Sequence, residues 1–423
     1  MNTSPTVLLA LAGLALSSVA TLHAQSGGKD PFLKENAPPL DPPATAGKDR
    51  VGTLMISMET YSAPAVEVDR LMSAGLNAAE LRAGLIELEK AGKGQLRWVG
   101  ALPSGSGQRA KIESTDEVFY IEPGASDVME VKSRVCGDTL EIDPVISADE
   151  QLLDMNLRLT DASFAGFRPA GERLTPPVVP VIETGEITTS SVSTINEPKL
   201  IGTFTRKTPE GLHTVVALAR GRIAQRIPEA AKGVPPDAGP GTWQMVFRVY
   251  EMERGLARDL IADSIVGDVL HQAVTEKVAA GQAALAQMSV VISKSGQRAK
   301  TEGEREDAFQ SPGIPGKERP RFEKAGLGWV VEVDPVIHKD GQHVHLNYAA
   351  SDSRFRSILA GDPALKGVPP TPIYSTSSIS TQIVVQMGHF AFGGTFNQPR
   401  DSGVLERSDD GKTRLLFVEA RTQ

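Results

Sequence analysis

The chain has 423 residues, with 44 basic and 52 acidic side chains and a formal net charge of −8. This length predicts two or three domains of roughly 150 residues each, and a hydrophobic fraction of 40% is enough for packed cores. The acidic balance argues against a nucleic-acid-binding protein, which would carry a basic patch. The single cysteine, Cys136, excludes a disulfide framework and any cysteine-rich zinc or iron–sulfur site.

Residues 1–24 have the pattern of a secretory signal peptide. An uncharged apolar run from Val7 to Ala20 is too short to span a bilayer as a permanent helix, and small residues that suit cleavage lie at Ala20 and Ala24. No later segment reaches the ~18 uninterrupted apolar residues of a membrane helix. The sequence therefore predicts an exported protein with no integral membrane helix, either soluble or peripherally attached.

Two segments rich in proline and glycine, residues 25–50 and 227–242, are predicted to be linkers. They delimit two modules, residues 51–226 and 243–423. Sequence blocks recur between the modules in the same order and at nearly constant separations of 189 to 192 residues, which indicates a tandem duplication of a domain-sized unit. The repeated blocks are SGQRAK (106–111 and 295–300), LEIDPVI or VEVDPVI (140–146 and 331–337) and GTF (202–204 and 394–396).

Each module begins with a strand, because apolar residues alternate along residues 54–58 and 245–249. Two helices are predicted next. In the first module Ser62 is expected to cap the first helix, and Asn77 with Glu80 forms a capping box for the second. Later segments change to a period of two, interrupted in the second module by a charged stretch, Glu302–Gly328, that we interpret as a long loop. The predicted fold class is α+β, with two tandem β-rich modules, each a strand and two helices followed by an antiparallel sheet.

A hairpin with a tight turn at Asp340–Gly341 is the clearest element of the second module. Counting by two places one set of side chains on the covered face of the sheet and another on the open face. The covered set is Val331, Val333, Ile337, Val344 and Leu346, and the open set is Glu332, Asp334, His338, His343, His345 and Asn347.

The order of these motifs resembles the C-terminal β-domain of secretins, the outer-membrane pore subunits of type II and type III secretion and of pilus assembly. The matching pieces in the first module are Gly107-Gln108-x-Ala110-x-Ile112, Gly137-x-x-Leu140-x-Ile142-x-Pro144-x-Ile146 and Thr214–Ala219; in the second they are Gly296-Gln297-x-Ala299, Gly328-x-x-Val331-x-Val333-x-Pro335-x-Ile337, Gly393-Gly394 and Leu415–Val418. The resemblance covers about two-thirds of each module and implies a secretin-like sheet. It also implies a capacity for sheet formation between subunits and a location in the periplasm or at the outer membrane of a Gram-negative bacterium.

The open face of the hairpin contains the best candidate for a metal site. The turn places His338 opposite His343, with His345 one step along the same face, and clustered neutral imidazoles bind zinc or copper. The alternative is a solvated strand face, which the first module favours because it has Ser147, Leu152 and Asp154 at the equivalent positions.

Other candidates have simpler explanations. Glu141 with Asp143, and Glu332 with Asp334, lie on one strand face with no cleft between them, so surface or interface charge is favoured over catalysis. Arg109 and Arg298 are expected to bind neighbouring backbone or carboxylate groups, and Cys136 to be a small core residue. No nucleotide-binding loop or nucleophile elbow occurs, so neither an enzyme nor a cofactor is predicted.

Two functions remain open at this point. The first is an exported, non-enzymatic structural or assembly protein of the cell envelope, whose modules bind protein partners or associate with themselves through sheet edges or the polar hairpin face. Such a role is compatible with a link to protein secretion. The second is a periplasmic ligand- or metal-binding protein that uses His338, His343 and His345.

Overall fold

The computed structural model of the protein describes residues 50–123, 129–169, 178–228, 242–264, 266–310, 321–359, 370–397 and 411–422. The predicted signal peptide lies outside these residues, as do nearly all residues of both predicted linkers. The described part of the chain forms sixteen strands and four helices, and its fold is β-rich α+β, as the sequence predicts.

The elements follow the same order in both halves of the chain: a strand, two helices and seven more strands. The first half contains β1 (Arg50–Pro64), α1 (Ala65–Ser73), α2 (Ala78–Lys90), β2 (Gln95–Ser104), β3 (Ala110–Pro123), β4 (Met129–Ile146), β5 (Leu152–Pro169), β6 (Val178–Thr194), β7 (Pro198–Thr208) and β8 (Gly211–Ile227). The second half contains β9 (Trp243–Glu253), α3 (Arg254–Asp263), α4 (Gly267–Ala279), β10 (Ala283–Ser293), β11 (Ala299–Gln310), β12 (Arg321–Ile337), β13 (His343–Leu359), β14 (Thr371–Gln386), β15 (Phe390–Asn397) and β16 (Lys412–Thr422). Every element of one half therefore has a counterpart in the other.

The strands form three antiparallel sheets. Two sheets have four strands each, in the orders β2-β1-β8-β7 and β10-β9-β16-β15, and the third has eight, in the order β11-β12-β13-β14-β3-β4-β5-β6. The eight-stranded sheet crosses from one half to the other where β14 pairs with β3, from Ile373 opposite Val118 to Ser380 opposite Lys111. The expectation that each module has a sheet of its own is therefore wrong for this sheet, which the two halves share.

Three layers result, because β1 and its counterpart β9 bury both of their faces. On one face of β1, Ile56 and Met58 belong to a core shared with the eight-stranded sheet, which also contains Leu346 from the second half. On the other face, Met55 packs in a second core with the helices, including Leu85 of α2. Both cores contain side chains from both halves, so neither half buries a separate core.

Buried polar contacts reinforce the seam between the halves. Asp116 of β3 is 1% exposed, and its carboxylate accepts hydrogen bonds from the guanidinium of Arg356 and the hydroxyl of Ser375. Away from this cluster, the Val384 backbone N–H donates to the Thr53 hydroxyl at 3.0 Å. An ion pair taken out of water must be well satisfied, so such contacts specify one pairing of the halves.

Local expectations fared differently from one element to the next. The capping box at Asn77 is confirmed: its side chain accepts from the backbone of Glu80, and the Glu80 side chain accepts from the backbone of Asn77. Ser62 does not cap α1, since it lies within β1 and Pro64 takes the capping position. Most of the charged stretch interpreted as a loop belongs to β11 and β12, because β11 is an edge strand whose charged side chains face solvent.

Candidate functional sites: the repeated turn, the histidine face and the β10 edge

The two most similar sequence blocks of each half contact each other. In the SGQRAK turns, the backbone N–H of Gly107 donates to the carbonyl of Pro144 at 2.7 Å, and that of Gly296 donates to Pro335 at 2.7 Å. The hydroxyl of the turn serine accepts from the end of the partner strand in both halves, at 3.2 Å and 3.1 Å. These repeated blocks thus have a structural role: each turn is attached to its own hairpin.

Charged residues of the same blocks form ion pairs. Arg109 lies 3.1 Å from Glu141, and Arg298 lies 3.0 Å from Glu332, as the expectation of a carboxylate partner requires. Gly137 and Gly328 have φ values of 137° and 138°, and a Cβ at either position would collide with a carbonyl oxygen of the adjacent strand. A glycine is needed there because β3 and β11 approach so closely.

The structure brings the three predicted histidines together on one face of the β12–β13 hairpin. The ring of His338 stacks on that of His345, with centroids 5.9 Å apart, and lies 6.4 Å from the ring of His343. The backbone N–H of His338 donates to the backbone carbonyl of His343 at 2.9 Å across the turn. The turn itself contains Gly341 with φ 63°, a conformation that favours glycine.

Asp340 organises this turn. Its carboxylate lies 2.6 Å from Nδ1 of His343 and accepts from the backbone N–H of Gln342 at 2.9 Å. Burial works against ionisation, but the Gln342 donor and the His343 ring outweigh it and hold the pKa of the Asp340 carboxyl below its usual range. For His345, burial first and the neighbouring His338 second lower the pKa of the ring.

Neutral imidazoles are the form that binds metal, but the arrangement of ligands decides whether a metal can bind. Within the part of the chain that the structure describes, no group of three or more His, Cys, Asp or Glu side chains could hold a metal ion. His343 is turned towards Asp340, while His338 and His345 stack on each other. The zinc or copper site therefore stays a prediction from sequence.

Cys136 is buried in a small cluster with Val118, Phe164 and Ile373. Burial raises the pKa of its thiol to about 12, and the nearby Asp116 adds to this effect. A thiol in this state is a poor nucleophile, so its position agrees with the core role expected from the sequence.

A feature that sequence reasoning missed lies on β10, an edge strand of the second four-stranded sheet. Met288, Val290 and Ile292 alternate along one face and are 51%, 36% and 49% exposed. Their counterparts on β2, at the separation of 189 residues set by the adjacent SGQRAK blocks, are Val99, Ala101 and Pro103, all of which are buried. The same strand face is thus covered in one half of the protein and open in the other.

A cleft of about 740 Å³ opens beside this stripe. Met288 and Val290 line it from β10, Trp329 lines it from β12, and Glu302 and Glu304 line it from β11. The indole N–H of Trp329 donates to the hydroxyl of Ser289 at 3.0 Å, which fixes the inner wall. Apolar β10 residues and charged β11 residues, Arg305 among them, therefore border one continuous depression.

Among the described residues, no helix has both the length and the apolar character needed to cross a membrane. No family model matches the sequence, and no curated protein matches it.

Two solved structures resemble the protein distantly. One is the InvG secretin domain β-barrel from the Salmonella SPI-1 injectisome, with 10% identity, a TM-score of 0.26, and coverage of 63% of this chain and 88% of that chain. The other is the type IV competence pilus secretin PilQ of V. cholerae, with 10% identity, a TM-score of 0.22, and coverage of 88% of this chain and 61% of that chain. Both TM-scores are too low to support an argument about this chain, so the likeness to secretins rests on its own motif order.

Proposed function

We propose that the protein is an exported, non-enzymatic structural protein of the Gram-negative cell envelope that works by binding other protein surfaces. The observation that carries this proposal is the exposed apolar stripe Met288, Val290 and Ile292 on an edge strand, beside a cleft. Contiguous apolar surface on an open sheet edge is typical of a protein–protein interaction site. The order of the secretin-like motifs, present twice, supports a role in envelope assembly linked to secretion or pilus systems.

The edge strands differ in their suitability for binding. β11 has charged side chains at half of its positions, from Lys300 to Asp307, and charges on an edge strand oppose pairing with another chain. By contrast, β10 has no charged residue between Ala283 and Ser293. Binding is therefore expected to begin at β10.

A role in metal binding is the second candidate. It rests on the sequence pattern of His338, His343 and His345, since no group of three ligands among the described residues is arranged to hold a metal ion.

A photocrosslinking residue at Val290 of the full chain, expressed in a Gram-negative host, tests the first proposal. We expect crosslinked species in the envelope fraction that contain this chain and a protein partner. The control places the same photocrosslinking residue at Val135 of β4, which is also apolar and is 57% exposed but lies on neither β10 nor α4. Equal yields of crosslinked species from Val290 and Val135, or a chain absent from the envelope fraction, would contradict the proposal.

A further inference from the structure

The first half of the protein shows what covers the edge that β10 leaves open. Strand β15 of the second half lies against β2: the Thr395 hydroxyl accepts from the Ala101 N–H at 2.9 Å, and the Asn397 side-chain amide donates to the Val99 carbonyl at 2.8 Å. Both of these β15 side chains are fully buried. The backbone groups of edge strand β2 are thus satisfied by side chains of its neighbour.

Helix α3 completes this internal contact. The guanidinium of Arg254 donates to the Leu96 carbonyl at 3.2 Å, and Arg258 forms an ion pair with Glu89 of α2 at 2.6 Å. In addition to the β14–β3 pairing, the two halves therefore meet where a surface of the second half, made of β15 and α3, docks on a surface of the first half, made of β2 and α2.

Each of these surfaces has a counterpart in the other half, and the described residues make no equivalent contact with that counterpart. By the repeated GTF block, β7 corresponds to β15, and Thr203 and Thr205 correspond to Thr395 and Asn397. Thr203 and Thr205 are exposed, whereas their counterparts are buried. The chain consequently presents a donor surface, β7 with α1, at one end and an acceptor surface, β10 with α4, at the other.

We infer that the occupant of the β10 surface is a second copy of this chain, which docks its β7 and α1 there in the manner of β15 and α3. This inference rests on the proposed function and names its partner. Thr203 would accept from the Val290 N–H, and the stripe from Met288 to Ile292 would become buried as Val99 and Ala101 are. The contact is head-to-tail, so repetition gives a ring or a filament.

The ion pair of the internal contact is not repeated here. On α1, Asp69 stands where α3 has Arg258, but Val278 of α4 stands where α2 has Glu89. Affinity at this contact therefore does not depend on that ion pair.

The same docking would bring the edge strand β6 of one copy beside β11 of the next. In the register of the internal pairing, where Ser375 lies opposite Asp116, Glu183 would lie opposite Arg305 and Glu186 opposite Glu302. One of these pairs is attractive and one repulsive, so the apolar stripe of β10 is the part on which affinity depends.

Cysteine crosslinking of the full chain tests the register. The double variant Thr203→Cys/Val290→Cys should give, on mild oxidation, a ladder of covalent oligomers, whereas a mixture of the two single variants should give covalent dimers and nothing larger. The native Cys136 is buried and serves as the background in the unmodified chain. The pair Thr395→Cys/Ala101→Cys should close within one chain, which shows that this contact geometry permits a disulfide.

A second measurement is independent of disulfide geometry. Met288→Glu should weaken self-association at least tenfold in sedimentation velocity, whereas Val135→Glu, at a β4 residue of similar exposure outside both surfaces, should change it less than twofold. The inference would be overturned if the protein were a monomer at all micromolar concentrations. It would also be overturned if the protein formed oligomers that gave no covalent ladder and were unaffected by Met288→Glu. If Val290 then still crosslinks to a different protein in the envelope, the proposed function stands and the second copy as partner does not.

Discussion

The buried ion pair at the seam between the halves gives the most direct stability prediction. Arg356→Met removes the guanidinium partner of Asp116, whose side chain is 2% exposed, whereas that of Arg356 is 12% exposed. Removing one member of a buried pair costs about 3–5 kcal/mol, because the remaining charge is left uncompensated in a medium that solvates it poorly. The Ser375 hydroxyl still donates to Asp116, so we expect about 3 kcal/mol. That loss is a large share of the ~5–15 kcal/mol that stabilises a typical protein.

The double variant Asp116→Leu/Arg356→Met should regain part of this loss, since it removes both charges of this pair. The matched control is Arg158→Met, which breaks an ion pair with Glu186 whose side chains are 50% and 40% exposed. That change should cost less than about 1 kcal/mol. Urea unfolding followed by circular dichroism measures all three variants. If Arg356→Met costs no more than Arg158→Met, or if the double variant is less stable than Arg356→Met, the seam is not held as described.

Two further predictions concern histidines. Burial, with a smaller effect of Arg248, lowers the pKa of His271 to about 4; the ring stacks on Phe390 with centroids 3.6 Å apart. The unfolded chain protonates this histidine near pH 6.5, whereas the folded protein protonates it only near pH 4. The unfolding free energy is therefore highest above pH 6.5 and decreases, by an amount on the order of 2 kcal/mol, as the pH falls towards 4. His271→Phe should show a correspondingly flatter loss of unfolding free energy between pH 7 and pH 4.5, and an equal slope in both proteins would refute the assignment. For the hairpin histidines we expect zinc to leave the melting temperature unchanged. A metal site would instead give a saturable gain in unfolding free energy, about 2.7 kcal/mol at a hundredfold excess of zinc over Kd. If that gain disappears when His338, His343 and His345 are all changed to Ser, the metal-binding alternative is established.

The sequence alone determined the features that depend on neighbouring residues. Alternation of apolar side chains predicted β1 and β9, and the capping box at Asn77 predicted the start of α2. Both signals are local, because the residues that interact lie within a few positions of each other in the sequence. The tight turn at Gly341 brought His338 and His343 together for the same reason. The repeated blocks established the equivalent order of elements before any contact was known.

Tertiary structure decided what these elements pair with. No local signal distinguishes a β14 that forms the edge of its own sheet from a β14 that pairs with β3, because strand pairing joins residues distant in sequence and is stabilised only when both edges meet. The charged residues of β11 led to the prediction of a loop, because an edge strand exposes most of its side chains to water and so lacks the apolar alternation of a half-buried strand. Val99 and Val290 are both apolar residues on equivalent strand faces, yet one is buried and the other exposed. The difference is that β15 of the same chain covers β2, while nothing within the described chain covers that face of β10.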